Sequence, residues 1–547
     1  MKKTGKLILF TAVAILGASC SKDPDTGDGG SGASVPEGTV TVNVVPDHDR
    51  ILLKNPLSGW ATYSGIGTGL ARNYWELYDS FDCADAPDGS GKVRVWDYSN
   101  VLYIKADWSA MNPADNKYIW EDEGYDYAEA QGGKTALFAQ NLKYLMDGAK
   151  ERGLKIAFTI NTNSEGDEQS STPEFVRDAG AKGFLTGTDR WTGYPDDPIF
   201  QKYYEKFVKA FAARFNNPDE VEYISGLGLG KWGECHSFRY STEVTIGPKD
   251  ESPRWDVYDW ATSMYADNFT NVPVVTNYHK MVGKCADSGS ADQMSIDLLN
   301  LAISKGFCMR HDAFGMQETY YGTWEKNFIA GHRYEVPVIG EGGWVLGTHD
   351  GWQDQYGSEY ELRNGEYTQM ESAYVNMMDF RYNSTVSQSE TYSWFNHAYD
   401  LVLKFLREGV YRLFPNRLYM PQSAESGSKV TIESRWSNLG NAYFPANLKQ
   451  WHGRYKLAYA LLGKGSLKPV YIFVDTEGSA ALHTVYKTAM RTFKTDVVLE
   501  GVAPGTYTWG VAIVNTEKEN TPAVELSVRE QDLTEEGWLK LSDVTVR

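Results

Sequence analysis

Residues 221–236 read VEYISGLGLGKWGECH. An apolar run with β-branched residues gives way to spaced glycines and then presents Trp232, Gly233, Glu234 and His236. That order predicts a buried strand, running to Glu234, that ends at a pocket. Glycines let the backbone turn sharply or let another group come close. Trp adds a flat apolar wall, and Glu a carboxyl able to give or take a proton. Packing alone does not require that combination. A second stretch, VPVIGEGGW at 336–344, repeats it: a short apolar strand, Gly340, Glu341, two glycines and Trp344. Glu234 and Glu341 are therefore the candidate working carboxylates.

Outward from these two stretches the chain repeats strand, polar loop and helix. KNPLSGWATYSG (54–65) reads as a turn-rich lead-in containing Gly59 and Trp60. VLYIKADW (101–108) reads as a strand whose end exposes Lys105, Asp107 and Trp108. A polar loop then leads to a helix over 135–152, stopped by Gly153. LKIAFTINTN (154–163) is a strand ending at Asn161 and Asn163, followed by an amphipathic helix over 198–215 and by the opening strand. NVPVVTNYHK (271–280) ends in Asn277, Tyr278 and His279, and a helix covers 291–305. GFCMRHDAFG (306–315) carries Arg310, His311 and Asp312. After 336–344 come a helix over 367–380, a short strand at NSTVSQ (383–388) and a helix over 397–411.

Seven or eight such units predict a (β/α)8 barrel, because parallel strands need helical crossovers and eight of them close on themselves. An open doubly wound sheet is the alternative. The barrel is preferred because functional-looking residues end nearly every strand, where barrel sites are assembled. G-x-x-x-x-G-K-[ST] does not occur, and no nucleotide or other cofactor is expected. From 413 onward the texture changes to alternating strands separated by Gly, Pro and Asn turns, a β-sandwich of residues 413–547. Its expected role is to buttress the barrel of residues 39–412, with carbohydrate binding of its own as the other option. TVTVNVV (39–45) opens the globular part as a short strand.

The first residues, MKKTGKLILFTAVAILGASCSKD, combine early lysines, a short apolar run and small residues before Cys20. This predicts a secretory signal over 1–19 whose core is too short to span a bilayer. LGASC resembles a bacterial lipobox, which implies cleavage before Cys20 and lipid on Cys20. Ser21-Lys22-Asp23 resembles the short acidic tag that sends some Gram-negative lipoproteins to the outer face of the cell, which implies anchoring at the outer membrane, turned to the cell surface. Residues 20–38 read as a flexible polar tether. With 72 acidic against 53 basic residues the net charge is −19, which argues against nucleic acid and anionic membrane surfaces as partners. The 17 Trp and 35 Tyr suit large cores or stacking platforms for sugar rings. Cys83, Cys235, Cys285 and Cys308 show no C-x-x-C spacing, which leaves disulfides and buried thiols open and speaks against a metal site.

Taken together, NPLSGW, the D-W…Y-I-W-E pattern over 107–121, GKWGECH at 230–236 and RHD at 310–312 resemble an uncharacterised family of secreted barrel lipoproteins. Its members pair the barrel with a β-sandwich of unknown function and are regarded as glycosidases. More distantly, Glu residues ending strands four and seven resemble the retaining glycosidases of clan A. That resemblance implies Glu234 as acid/base and Glu341 as nucleophile, acting on an oligo- or polysaccharide. The family usually places Asn immediately before the strand-four Glu; this chain has Gly233 there, so Asn161 or Asn277 would have to contact the sugar.

Glycoside cleavage needs one carboxylic acid to protonate the leaving oxygen and one carboxylate to attack or to activate water, held roughly 5 Å apart in retaining and roughly 6.5–9.5 Å apart in inverting enzymes. Arg310 is the expected charge partner of Glu341, and the wall of Trp232 the expected shelter for the proton of Glu234. Trp60, Trp108, Trp232, Trp344 and Trp394 are candidate stacking platforms. Lys105, Asp107, Asn161, Asn277, His236, His279, Arg310, His311 and Asp312 are candidate sugar contacts. Zinc held by His236, His279, His311 and Asp312 is a third option, although no compact ligand motif such as H-x-H is present. A glycan-binding lipoprotein without turnover is the competing class.

Overall fold

A computed structural model of the 547-residue chain describes residues 35–67, 71–165, 169–242, 250–278, 282–285, 292–316, 321–343, 357–381 and 389–547. Eight parallel strands close into a barrel: β1 Gly59–Gly65, β2 Ser99–Asp107, β3 Lys155–Asn161, β4 Val221–Ser225, β5 Val274–Asn277, β6 Cys308–Phe314, β7 Val338–Gly342 and β8 Met377–Asp379, with β8 pairing back onto β1. Between them run α1 Tyr74–Asp79, α2 Gly133–Glu151, α3 Pro198–Phe215, α4 Arg254–Asn268, α5 Gln293–Ser304, α6 Thr323–Gly331 and α7 Glu359–Ser372, and α8 Ser389–His397 follows β8. Among the described residues no helix is long and apolar enough to cross a membrane.

Local chemistry sets these elements. Pro198 opens α3 behind Asp197, whose carboxylate accepts the N–H groups of Ile199 and Phe200 at 2.9 and 3.0 Å. The buried face of α3 then lays Phe211 and Phe215 on Phe158 of β3, with ring centroids 5.4 and 4.7 Å apart. Gly153 takes φ 69° just past α2, a conformation a side chain would resist.

Strand alternation sorts the barrel into two faces. Trp60, Leu102, Ile104, Phe158, Ile160, Ile224, Met309, Val338 and Met378 join the layer under the helices. Tyr63, Val101, Tyr103, Ala157, Tyr223, Val275, Cys308, Ile339 and Met377 form the interior core. Tyr63, Tyr103, Ala157 and Tyr223 are register neighbours on β1 to β4 and make an aromatic floor.

The C-terminal module is two antiparallel sheets. One holds Leu413–Pro421, Lys429–Asn438 and Arg491–Val498; the other is built around Tyr455–Gly463 and Gly505–Asn515. It packs under the amino-terminal end of the barrel. Tyr411 donates to Pro56 O at 2.6 Å, Asn376 to Tyr443 O at 2.9 Å and Gln450 to Gly306 O at 3.1 Å, all just before barrel strands begin. Tyr411, Trp436, Phe444 and Trp451 share one core with the barrel interior, the arrangement expected of a buttress.

Several boundaries differ from the sequence reading. Thr39–Asn43 pairs antiparallel with Leu413–Pro421, so the first described strand completes the distal sandwich and the barrel starts at Gly59. The lead-in at 54–65 contains a barrel strand. The opening strand stops at Ser225, nine residues before Glu234. The helix expected over 367–380 ends at Ser372, and residues 377–379 form β8. The helix over 397–411 is broken into Tyr399–Lys404 and a short π turn, Phe405–Gly409. The strand at 383–388, the signal, Cys20 and all of the tether except 35–38 lie outside the described residues. Among the described residues Cys83, Cys235, Cys285 and Cys308 form no disulfide.

Candidate active site

Two residues above the aromatic floor, the inward side chains turn polar at the carboxyl end of the strands. β2 contributes Lys105 and Asp107, β3 Asn161, β5 Asn277, β6 Arg310 and Asp312, β7 Glu341, and β8 Asp379. Arg310 is the centre of this layer. It is fully buried, its guanidinium carbon lies 4.6 Å above the ring of Tyr103, and it forms ion pairs with Asp312 on its own strand and Glu341 on the next. Arg381, just after β8, pairs with the other oxygen of Glu341 and donates to Gly342 O at 2.9 Å. Glu341 is 3% exposed, with a guanidinium on each oxygen.

Asp312 accepts from Asn277 Nδ2 at 2.7 Å. Burial pushes its carboxyl above the usual range; Arg310 opposes the rise and the negative charge of Glu234 adds to it. Arg310 and Glu234 thus both act on the charge of Asp312, and Arg310 also pairs with Glu341. Asp107 is likewise raised by burial, against hydrogen bonds from Gln169 and Ser171. Asn161 is locked: Nδ2 donates to Asn163 O at 2.8 Å and Oδ1 accepts the Asn163 N–H at 3.0 Å, with Asp107 3.4 Å away. Asn277 differs, because its Oδ1 is buried without a hydrogen-bond partner among the described residues. Lys105 lies near enough to act on the charges of both Asp107 and Asp312.

Glu234 does not end a strand. It follows a turn, Lys231–Gly233, within a loop where Gly226, Gly228, Gly230, Trp232, Gly233, Cys235 and Ser237 all take positive φ. Close packing dictates those glycines: a Cβ at Gly228 would lie 2.1 Å from the Tyr204 hydroxyl, and one at Gly230 2.3 Å from His236 O. The loop holds the side chain of Glu234 17% exposed, with Oε2 3.4 Å from His236 Nε2. Trp232 is 36% exposed, has φ 57°, and carries the Lys231 ammonium 4.1 Å from its ring centroid. An open aromatic face beside a carboxyl is what a stacking platform needs.

Other expected contacts are elsewhere. Trp60 stacks on Phe380 at 4.4 Å and meets Trp394 and Phe405 edge-on, so Trp60 and Trp394 are core residues beneath the helices. Trp108 starts a short helix and packs on Phe200, Tyr204 and Phe207. His311 is fully buried among Tyr278, Phe314 and Tyr321, on the face opposite Arg310 and Asp312, which separates it from His236. Among the described residues no group of three or more His, Cys, Asp or Glu is placed to hold a metal ion. His279 and Trp344 lie outside the described residues.

Sequence reasoning missed Asp379, Arg381 and Glu366. Asp379 ends β8, and burial, then the charge of Glu341, push its carboxyl well above the usual range against Arg310 and Arg381. Glu366 of α7 forms a buried group with Arg363 and Glu390 behind β7; a Cβ on Gly342 would lie 2.3 Å from Glu366 Oε1. Burial raises Glu366 to about 7, with Arg363 opposing. The signal for Asp379 was present in VNMMDFR, an apolar run ending in an acid.

No family profile matches the chain, and neither does any curated protein. Among solved structures it is similar to a broad-specificity endoglucanase from an uncultured bacterium, at 11% identity over 67% of this chain and 96% of that one, with a TM-score of 0.37. It is similar also to the endo-β-1,4-mannanase from Thermotoga petrophila, at 11% identity, 90% and 98% coverage and a TM-score of 0.35. An exo-β-1,4-mannosidase from Opitutaceae bacterium strain TAV5 shares 9% identity over 59% of this chain, which spans about half (52%) of that protein, with a TM-score of 0.30. The barrel rests on the chain's own strand pairing.

Proposed function

We propose that this chain is a glycoside hydrolase acting on an oligo- or polysaccharide at the carboxyl-terminal rim of its barrel. The observation that carries the reading is an asymmetry between two carboxyls in one electrostatic network. Glu341 has a guanidinium on each oxygen, which fixes the orientation of its carboxylate. Glu234 is partly exposed beside His236 and Trp232, where a carboxyl can exchange a proton with a ligand. In this reading Glu234 protonates the glycosidic oxygen while Glu341 attacks the anomeric carbon. Water then cleaves the glycosyl-enzyme, with Glu234 returning as base. Trp232 supplies the stacking face, and Asn277 and Lys105, which act on Asp312, are the partners of sugar hydroxyls. The same proposal places the protein at the cell envelope through lipid on Cys20, tested by whether Cys20→Ala abolishes fatty-acid labelling.

A second reading, a glycan binder without turnover, is favoured by the burial of Glu341 behind both arginines. A broad panel of oligosaccharides, read by released reducing ends, separates the two. The hydrolase reading expects cleavage that Glu234→Gln and Glu341→Gln each abolish while ligand still binds. Ligand binding without cleavage by the unaltered protein would leave the binder.

A further inference from the structure

Arg381 has φ 46°, in the left-handed region that residues with a side chain seldom enter. Its turn is held from both sides. Asp379 Oδ1 accepts the Arg381 N–H at 3.2 Å and faces the Gly342 N–H at 3.4 Å, while Thr391 Oγ1 donates to Arg381 O at 2.9 Å. The bend carries the guanidinium back over β7 to Glu341. Asp379 thus ties the end of β7 to the turn that delivers the arginine. Its other oxygen, Oδ2, has no hydrogen-bond partner among the described residues, and Asp379 is 1% exposed. The described ion pairs of Arg310 and Arg381 go to Asp312 and Glu341. An ionised carboxylate buried next to Glu341 without a cation of its own would carry a heavy desolvation cost; a neutral acid would not.

We propose that Asp379 is the positioning residue that fixes Arg381 on Glu341, and that it does so as a neutral acid. This deepens the hydrolase reading and rests on it for the role of Glu341. The groups facing Asp379 are Tyr63 on β1, Tyr223 on β4, Arg310 on β6, Glu341 on β7 and Arg381 beyond β8. Burial and Glu341, the two strongest influences that favour the proton, outweigh the two arginines.

The test is thermal unfolding of the full chain, which needs no substrate. Asp379→Asn keeps both the acceptor oxygen and a donor in place of the hydroxyl. If folded Asp379 holds a proton that the unfolded chain releases, the wild-type Tm falls relative to Asp379→Asn as pH rises from about 5 to about 8. Parallel profiles would overturn the neutral acid. A double-mutant cycle of Asp379→Ala and Arg381→Ala tests the positioning: the double variant should lose no more Tm than the worse single variant, and additive losses would overturn it. Failure of either arm leaves the hydrolase reading standing, and a glycan screen without cleavage leaves both arms intact. Where cleavage is found, Asp379→Asn should retain most of kcat and Asp379→Ala should lose kcat with little change in KM.

Discussion

Arg310 on β6 stands opposite Ile339 on β7 in the strand register, two residues short of Glu341, yet its Nη2 reaches Glu341 Oε2. The guanidinium therefore leans along the barrel axis, with Nε against Asp312 and the plane resting above Tyr103. One arginine sets two carboxylates on neighbouring strands, and the tyrosine floor keeps water from beneath them.

Glu341→Gln removes the charge that the buried Arg310 and the part-buried Arg381 share. Breaking a buried pair from one side costs about 3–5 kcal/mol, and Arg381 loses its ionic partner at this site. Urea denaturation should show a loss of that order. Glu234→Gln, in a partly exposed loop with His236 as its ionic contact, should change stability by less than about 1 kcal/mol.

Turnover should fall with both variants, by different routes. Loss of a general acid lowers rate by about 10²–10⁴-fold, so Glu234→Gln should lower kcat on a cleaved glycan while KM holds. Substrates with a good leaving group should be hurt less at the first step, because they need less protonation. Steady-state kinetics with a pair of aryl and alkyl glycosides reads this directly.

Trp232 combines an open ring with a left-handed backbone, which costs a residue with a Cβ about 1–2 kcal/mol. Trp232→Gly should therefore be more stable than Trp232→Ala by about 1 kcal/mol, although it removes more side chain. Both should bind glycans more weakly. Paired denaturation and affinity electrophoresis check the two halves of the statement.

Glu366 titrates in the folded chain near 7, above its unfolded value of about 4.5, because burial outweighs Arg363; Glu390 and Arg381 are the other charges facing it. Its stabilising proton is fully held below pH about 4.5 and is lost as pH rises through about 7. Wild-type stability should accordingly decline across that window relative to Glu366→Gln. Chemical denaturation at a series of pH values measures the gap, which should widen in favour of the variant as pH rises.

The barrel was legible because most of its strands carry β-branched, near-continuous apolar runs that end in acids, amides or arginine. Of the eight charged and amide residues described at the crown of the interior, only Asp379 escaped. GWATYSG at β1 has few aliphatics and glycine at both ends, so it read as a turn. The run through 367–380 hid the break at 373–376, because apolar residues continue across it and period 3.6 cannot be told from period 2 over so few positions. Trp60, Trp108 and His311 were misplaced for want of a parity argument. Arg310 and Asp312 share one face of β6, which puts His311 on the other; Lys105 and Asp107 do the same for Trp108. The loop carrying Glu234 was read as a longer strand because its glycine spacing looks regular, whereas positive φ at Gly226, Gly228 and Gly230 breaks the ladder.

Thr39–Asn43, the first described strand, is stitched into the distal sheet against Leu413–Pro421. A pull on the chain from upstream would be taken up as shear along that strand pair and passed into the base of the molecule, leaving the crown of carboxylates unstrained. Any tether attached there would hold the protein by its foot and present the opening to the surrounding medium, free to swivel over a large polymer.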